Sequence, residues 1–205
     1  MELFPGEPGY GPWRAEPIAA VLGTARLVAV DGRSGGGKTT TADRIAGTVP
    51  GATVVHTDDV AWNQARFDWA ELLRTGVLEP VRSGHAVCWT PPAWPRHGRS
   101  GAIEVPAGCP LLVVEGVGVS RRELAAWFDL RLWVQSDRAE AYARGIERDA
   151  RPDAAEFWAA WEAEEAPFLA ADRPWERADV VVAGRPEVRC DPARELIVAG
   201  RRMGA

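Results

Sequence analysis

One stretch decides the fold of this chain: Arg26-Leu-Val-Ala-Val-Asp-Gly-Arg-Ser-Gly-Gly-Gly-Lys-Thr-Thr-Thr41. Residues 32–39 match the phosphate-binding pattern G-x-x-x-x-G-K-S/T at every fixed position. The apolar run 27–30 before the motif predicts a buried strand, and residues 40–47 after it carry apolar side chains at helical spacing. This order of strand, glycine-rich turn and helix is the context in which the pattern binds nucleotide phosphates.

The residue types of the motif explain why it would hold a phosphate. Glycines let successive backbone N–H groups converge on an anion, and the helix behind them adds the positive end of its dipole. Lys38, the single lysine beside 23 arginines, brings a mobile charge to the β- and γ-phosphates, and the Thr39 hydroxyl is placed to ligate Mg²⁺. We therefore predict a nucleotide-binding loop made of Gly32, Ser34, Gly35, Gly36, Gly37, Lys38, Thr39 and Thr40.

Length and composition indicate a single α/β domain over 1–205. The chain is 46% hydrophobic and 26% charged, and it is long enough to bury a sizeable core. A formal net charge of −5 disfavours a surface that coats nucleic acid. No apolar run of about 18 residues predicts a membrane span, and the N-terminus lacks the features of a secretory signal. The three cysteines are far apart and predict no disulfide framework or zinc site, so we expect a cytoplasmic protein.

Strands alternate with helices along the chain, which predicts a parallel sheet covered by helices on both faces. After the first strand, the predicted strands are 53–55, 111–116, 130–134 and 179–183, with an edge strand at 195–199. The first 16 residues are rich in Pro and Gly and predict an extended arm. Residues 86–105 predict two short strands around a long Pro/Gly-rich loop, and such a loop length is typical of a functional segment.

Capping pairs and apolar spacing predict the later helices. One capping box predicts a helix over 69–83 with a bend at Pro80, and another predicts a helix that begins after Ser120. A helix over 137–149 is expected to bury Ala139, Tyr142, Ala143 and Ile146. The next helix follows Asp153 and is expected to bury the stripe Phe157, Trp161, Glu164 and Phe168.

Carboxylates follow two more of the predicted strands. In open parallel sheets, ligands bind at the carboxyl ends of the strands, where the motif, Asp58-Asp59 and Glu115 would meet. Phosphoryl transfer needs a metal on the phosphates and a base near the attacking hydroxyl. We interpret Asp58 as that base, a role typically worth ~10²–10⁴ in rate. Thr39, Asp58 and Glu115 form the candidate metal set, with Glu115 acting directly or through water. The alternative for Asp58-Asp59 is an Asx turn or a helix cap.

A basic helix face and an aromatic loop complete the candidate residues. Arg144, Arg148 and Arg151 recur at i, i+4 and i+7, so one face of a helix would project three guanidiniums suited to phosphate oxygens. The alternative is a solvated face paired with Glu140 and Glu147.

The long loop carries Trp94, His97 and Arg99, an aromatic surface with polar groups of the kind that binds a ring-bearing substrate. Together with Asp59 they form the candidate substrate-binding set. The alternative is that Trp94 anchors the loop to the core and that His97 is an exposed loop residue. For His56 we expect a buried histidine that is hydrogen-bonded to the backbone.

Taken in order, these segments resemble the uridine kinase family of P-loop kinases, particularly its short bacterial members. The matching segments are Val28–Thr40, Val55–Asp59, Leu112–Gly116, Asp129–Val134, Arg144–Asp149 and Arg177–Gly184. The resemblance implies a P-loop three-layer α/β fold with an approximately five-stranded parallel sheet and helices on both faces. It also implies ATP and Mg²⁺ as cofactors and transfer of the γ-phosphoryl group to a 5′-hydroxyl.

For individual residues, the resemblance implies that Asp58 is the base, that Glu115 binds Mg²⁺, and that Arg144 and Arg148 are lid arginines. The lid, 144–153, is shorter than the family's.

The family's pyrimidine-contacting loop reads Tyr-Asp-Phe/Trp followed by His and Arg. Here Trp94, His97 and Arg99 match, whereas Pro92 and Ala93 stand at the Tyr and Asp positions. A site built to hydrogen-bond a polar group rejects analogues lacking it by ~10⁴, so this change implies another acceptor, such as a modified nucleoside or another small alcohol.

Three functions are compatible with these residues. The first is an ATP-dependent small-molecule kinase acting on a nucleoside or a nucleoside-like alcohol. The second is a regulatory or accessory P-loop protein that binds ATP without phosphorylating a free metabolite. The third is a nucleoside monophosphate kinase, with Arg96 and Arg99 as the second phosphate site. The sequence predicts no nucleic-acid or membrane partner and leaves a homo-oligomer open.

Overall fold

A computed structural model describes residues 1–150 and 152–199 of the chain. This part of the chain contains the strands β1 (Trp13–Pro17), β2 (Leu27–Gly32), β3 (Thr53–His56), β4 (Val87–Trp89), β5 (Ile103–Val105), β6 (Leu112–Glu115), β7 (Leu130–Gln135), β8 (Val180–Ala183) and β9 (Glu195–Ala199). The α-helices are α1 (Ile18–Leu22), α2 (Lys38–Ala46), α3 (Thr57–Val60), α4 (Ala70–Leu73), α5 (Glu79–Arg82), α6 (Ala93–Arg96), α7 (Arg138–Asp149) and α8 (Ala154–Asp172). Among these described helices, none has both the length and the apolar character needed to cross a membrane.

The main sheet has seven strands in the order β1-β9-β8-β7-β2-β6-β3. The five strands from β8 to β3 are parallel, as predicted, and β9 and β1 add an antiparallel extension at one side. The central strand β2 is buried at every position, which explains its uninterrupted apolar start. Helices α1 and α2 pack on one face of the sheet, and the helical segment 70–82 packs on the other. The predicted α/β fold with a parallel sheet between helices is therefore confirmed.

The N-terminal arm is part of the packed structure rather than only an extended segment. Its last residues form β1, which pairs antiparallel with β9, so β9 lies inside the sheet and is not the edge strand that we expected. Phe4 and Glu7 are 3% and 8% exposed. The Glu7 carboxylate accepts hydrogen bonds from the side chains of Trp133 and Gln135 at 2.7 and 2.9 Å. These contacts explain why an arm with little apolar periodicity is ordered.

The helix predicted over 69–83 is present but irregular. A π-helical turn, Arg74–Leu78, joins α4 to α5. The irregularity precedes Pro80, which has no N–H to donate to the carbonyl four residues earlier. Trp69 immediately precedes α4, and no side chain accepts a hydrogen bond from the N–H groups at this helix end. The capping box predicted there is therefore wrong. After Ser120 the structure has only a single 3₁₀ turn, Ala125–Trp127, where a capped helix was expected.

Helices α7 and α8 occur where predicted, but they bury different faces. On α7 the buried residues are Ala141 and Gly145 rather than the expected apolar side chains. A Cβ atom on Gly145 would lie 2.2 Å from the Trp158 ring, so small residues are needed where the two helices meet. On α8 the buried residues are Ala154, Trp158, Glu165 and Leu169, whereas Phe157, expected inside, is 39% exposed.

Candidate nucleotide-binding and phosphoryl-transfer site

The glycine-rich motif forms a tight turn between β2 and α2. Gly37 precedes α2 with a φ of 99°, in the left-handed region that favours glycine. A Cβ atom on Gly35 would lie 2.1 Å from the backbone oxygen of Ala141, so α7 approaches the loop too closely for any side chain. No side chain caps the start of α2, and the first N–H groups of a helix have no acceptors within it. The loop therefore has the geometry of an anion-binding turn.

A cavity of about 570 Å³ opens onto this loop. Its walls bring together residues from five separate segments of the chain: Ser34, Gly35, Gly36, Gly37, Lys38, Thr39, Thr40, Asp58, Glu115, Gly116, Val117, Arg144, Glu147, Arg148 and Gly184. A larger cavity, of about 1070 Å³, lies between the N-terminal arm and strands β8 and β9. The larger cavity is not lined by any of the predicted site residues that the structure describes, so we assign the candidate site to the smaller one.

Lys38, Thr39 and Glu115 lie together at the base of the cavity. The ammonium group of Lys38 donates to the backbone oxygen of Arg33 at 3.0 Å and is 9% exposed. The Thr39 hydroxyl donates to Oε1 of Glu115 at 3.0 Å. Burial raises the pKa of Glu115, but the hydrogen bond from His56 and the charge of Lys38 outweigh it, and the net pKa is below the ordinary value. Glu115 is therefore an ionised carboxylate beside the motif.

His56 is not the buried, backbone-bonded histidine that we expected. It is half-exposed, and its Nδ1 donates to Oε1 of Glu115 at 2.7 Å. The two residues lie side by side because β3 and β6 are parallel neighbours in the sheet, with His56 paired to Glu115. The hydrogen bond with Glu115 raises the pKa of His56 above its ordinary value. Sequence reasoning missed this contact because it did not establish which strands are neighbours.

Asp58 lies in the short helix α3, directly after β3, and lines the same cavity. Asp58 is exposed through the cavity, and the cavity walls bury its carboxylate only in part. This burial raises the pKa of Asp58 above its ordinary value; the Glu115 carboxylate adds to the rise, and Lys38 and Arg148 oppose it. A carboxylate with a raised pKa that faces an open cavity is suited to accept a proton.

Two of the three predicted arginines line the cavity from α7. Arg144 donates from Nε to the backbone oxygen of Gly35 at 3.1 Å, and its buried Nη2 has no hydrogen-bond partner among the described residues. Arg148 has a side chain that is 68% exposed and lies 3.2 Å from Asp149. Both guanidiniums can therefore turn toward an anion in the cavity. Arg151 lies outside the described residues.

The residues at the base of the cavity fit a magnesium ion bound together with a nucleotide. Thr39 and Glu115 supply a hydroxyl and an ionised carboxylate, which are ligands that Mg²⁺ prefers, and Asp58 lies on the same cavity wall. Among the described residues no group of three or more His, Cys, Asp and Glu side chains could hold a metal by itself. Water and phosphate oxygens would therefore have to complete the shell, which is the usual mode for Mg²⁺.

The predicted substrate-binding residues form one cluster next to Asp58. The Trp94 indole N–H donates to the backbone oxygen of Asp59 at 2.9 Å, and Arg99 forms an ion pair with the Asp59 carboxylate. The Arg99 guanidinium lies over the Trp94 ring, 3.7 Å from its centre. His97 is exposed and meets the edge of the Trp62 ring. Because Trp94 is only 4% exposed, its burial supports the alternative in which it anchors the loop to the core.

Asp31 is a buried carboxylate that sequence reasoning missed. One carboxylate oxygen accepts the N–H groups of Gly32 and Gly118, each at 2.7 Å. The other accepts both the N–H and the hydroxyl of Ser120, at 2.9 and 2.7 Å. Ser120 therefore holds the loop after β6 against the start of the motif and does not cap a helix. The sequence feature that could have revealed the role of Asp31 is a single acidic residue within an otherwise apolar strand.

Solved structures that share this fold include the following two. The first is a possible uridine kinase from Bacillus stearothermophilus, with a TM-score of 0.53 and 19% identity over 80% of this chain and 94% of that chain. The second is named a "putative fructose transport system kinase" from Silicibacter sp. TM1040, with a TM-score of 0.53 and 20% identity over 76% of this chain and 86% of that chain. No family model and no curated protein matches the chain. At these identities the likeness concerns the fold: this is the fold of P-loop kinases of the uridine kinase type, as the motifs implied.

Proposed function

We propose that this protein is an ATP-dependent kinase that transfers the γ-phosphoryl group of ATP to a hydroxyl of a small molecule. The observation that carries the proposal is the composition of one cavity, which joins the glycine-rich loop, Asp58, Glu115 and the α7 arginines. Phosphoryl transfer needs little covalent chemistry from the protein and depends on positioning and charge stabilisation. The residues of this cavity are suited to supply both the positioning and the charge stabilisation.

Each group in the cavity then has a defined role. The loop amides and Lys38 bind the β- and γ-phosphates, and Arg144 and Arg148 neutralise charge on the phosphoryl group as it moves. Thr39 and Glu115 would hold a Mg²⁺ ion, which would supply charge stabilisation to the phosphates. Asp58 orients the acceptor hydroxyl and takes its proton as the new oxygen–phosphorus bond forms, while the bond between the γ-phosphorus and the β–γ bridging oxygen breaks and ADP leaves.

The acceptor is best described as a neutral, hydroxylated small molecule. Arg99 already has a carboxylate partner in Asp59, so it is poorly placed to supply the second phosphate site of a nucleoside monophosphate kinase. The names of the two structural neighbours, a uridine kinase and a fructose transport system kinase, support a hydroxylated acceptor. A nucleoside or nucleoside-like alcohol fits this description.

One observation favours a second candidate, an ATP-binding regulatory protein without free-metabolite kinase activity. Trp94 is buried and Arg99 covers its ring, so this part of the loop offers no free aromatic face to an acceptor. A structure with bound ATP would separate the two candidates. An open space between Asp58 and Trp94 supports the kinase, and a closed one supports the regulatory protein.

The test of the kinase is ATP consumption against a panel of nucleosides, nucleoside monophosphates, sugars and simple alcohols. We expect at least one neutral alcohol to stimulate turnover and to appear as a phosphorylated product by mass spectrometry. A monophosphate as the best acceptor would reassign the protein to the third candidate. The kinase proposal is rejected if no acceptor stimulates turnover and if Asp58→Asn leaves any basal hydrolysis unchanged.

A further inference from the structure

A buried carboxylate that does not line the cavity contacts the glycine-rich loop. Glu165 lies on α8 and is 2% exposed, and its Oε1 accepts a hydrogen bond from the backbone N–H of Ser34 at 2.7 Å. Among the described residues that line the cavity, Ser34 is present and Glu165 is not. A buried carboxylate costs free energy unless it is paired and hydrogen-bonded, so its other partners matter.

A buried charge of opposite sign, Arg33, is the preceding residue of the same loop. Arg33 is 3% exposed, its Nη2 lies 3.6 Å from the carboxylate of Glu162, and its guanidinium packs against the Phe4 ring at 4.1 Å. Burial lowers the pKa of Arg33 below its ordinary value, and the negative charges of Glu165, Glu162 and Glu7 oppose that shift, with Glu165 the strongest. The loop therefore contains a buried cation that pairs with Glu162 and is further balanced by the nearby charge of Glu165.

A negative charge behind a phosphate-binding loop would by itself weaken phosphate binding, because like charges repel. This repulsion between Glu165 and a phosphate has to be offset by a favourable effect of Glu165 on the loop. Glu165 bonds one loop amide and balances the adjacent guanidinium, so it holds two consecutive residues of the loop in one conformation. A loop that is already ordered loses less conformational entropy when a ligand binds.

We propose that Glu165 is a positioning residue for the nucleotide site, which fixes the Arg33–Ser34 segment so that the loop amides stay converged on the phosphates. The inference rests on the proposed function in one respect, namely that the loop binds a nucleotide. Glu165 acts through Arg33 and Ser34 and does not touch the nucleotide. Phe4 of the N-terminal arm contributes by closing the other side of the Arg33 guanidinium.

The test uses the full-length protein and three variants. Glu165→Gln keeps an oxygen that can accept the Ser34 N–H but removes a counter-charge of Arg33. The matched control is Glu164→Gln on the same helix, whose carboxylate is 55% exposed and pairs with Arg66. The double variant Arg33→Met with Glu165→Gln removes both charges and keeps the amide contact, because buried ion pairs replaced by neutral groups of similar volume are often tolerated.

The readouts are the Kd for Mg-ATP by calorimetry and the separate KM and kcat values for the reaction. In Glu165→Gln we expect Mg-ATP binding to weaken about tenfold, comparable to losing one charge-assisted contact, with the acceptor KM unchanged. Glu164→Gln should bind as the wild type does, and the double variant should recover most of the lost affinity. A general loss of structure would change both KM values together.

Other results of the same experiment would overturn the inference or the proposed function. If Glu165→Gln binds Mg-ATP as tightly as the wild type, or more tightly, the carboxylate is only a repulsive charge and the inference is overturned. If Glu165→Gln does not fold, the double variant carries the test, and its failure to fold or to bind Mg-ATP also overturns the inference. If the wild type itself does not bind Mg-ATP, the proposed function fails first.

Discussion

At the scale of single residues, the surroundings of two carboxylates in one cavity shift their pKa values in opposite directions. Burial raises the pKa of Asp58, whereas the His56 hydrogen bond and the Lys38 charge outweigh burial and lower the pKa of Glu115. When the surroundings of two titratable groups shift their pKa values apart, the two groups can take different acid–base roles. Glu115 stays charged near the metal position, and Asp58 is the group suited to take a proton.

The raised pKa of Asp58 predicts that this residue destabilises the fold at neutral pH. A carboxyl whose folded pKa lies above its unfolded value stabilises the fold at low pH, and this contribution is lost as the pH rises through the folded pKa. Asp58→Asn cannot ionise, so it should melt at a higher temperature than the wild type at about pH 8, by a margin that shrinks toward about pH 4. Thermal unfolding at both pH values measures this margin. A margin that does not change with pH would contradict the assignment.

The amino-acid sequence predicted some of the residues that meet at the cavity but not the contacts between them. The glycine-rich motif, Asp58 and Glu115 could be placed at one sheet edge because each follows an apolar run, and such runs predict parallel strands. The contact of His56 with Glu115 could not be foreseen, because it depends on β3 lying next to β6 in the sheet. Asp31 and Glu165 were missed because apolar spacing does not report buried carboxylates.

At the scale of elements, α7 packs its backbone against both the glycine-rich loop and α8. Ala141 and Gly145 are its buried residues. A Cβ atom on Gly145 would collide with Trp158, and the Ala141 backbone oxygen leaves no room for a Cβ atom on Gly35. This close approach carries Arg144 to within hydrogen-bond distance of the Gly35 oxygen. The apolar periodicity of α7 predicted another face, because the packing here depends on small size rather than on hydrophobic side chains.

Gly145→Ala is expected to destabilise the protein. An added Cβ atom would lie 2.2 Å from the Trp158 ring, and overpacking of this kind costs about 1–3 kcal/mol. Alanine would gain about 1 kcal/mol at an exposed helical position, so a net loss identifies the collision. Chemical denaturation measures the free energy of unfolding. Ala143→Leu, on the exposed side of the same helix, serves as the control and should change stability by less than about 0.5 kcal/mol. A stabilised Gly145→Ala would show that the two helices can separate freely.

At the scale of the whole molecule, the N-terminal arm connects the sheet edge with the glycine-rich loop. It supplies β1 at one end, and near its start it supplies Phe4 to Arg33 and Glu7 to the sheet. The five parallel strands were predictable as separate apolar runs. Strand β1 was not, because Trp13-Arg-Ala-Glu-Pro17 follows a Pro/Gly-rich stretch and has no run of apolar residues.

Glu7→Ala tests whether the arm is part of the folded unit. The substitution would leave the Trp133 N–H without its acceptor and would remove one of the two acceptors of the Gln135 amide, which keeps the Pro8 oxygen. An unsatisfied buried group costs about 1–3 kcal/mol. We expect a lower melting temperature. Glu2→Ala in the same arm removes an exposed ion pair with Arg138 and should cost less than about 1 kcal/mol. Equal melting temperatures for both variants would indicate that the arm contributes no specific contact.

The central claim is that Asp58 and the glycine-rich loop form one phosphoryl-transfer centre. Its most direct test measures Mg-ATP binding and γ-phosphoryl transfer to the best acceptor, in wild type and in Asp58→Asn, with the same preparations. We predict that the variant binds Mg-ATP as the wild type does. We also predict that its kcat falls by ~10²–10⁴, because the acceptor hydroxyl has lost its base. Equal transfer rates in the two proteins would contradict it.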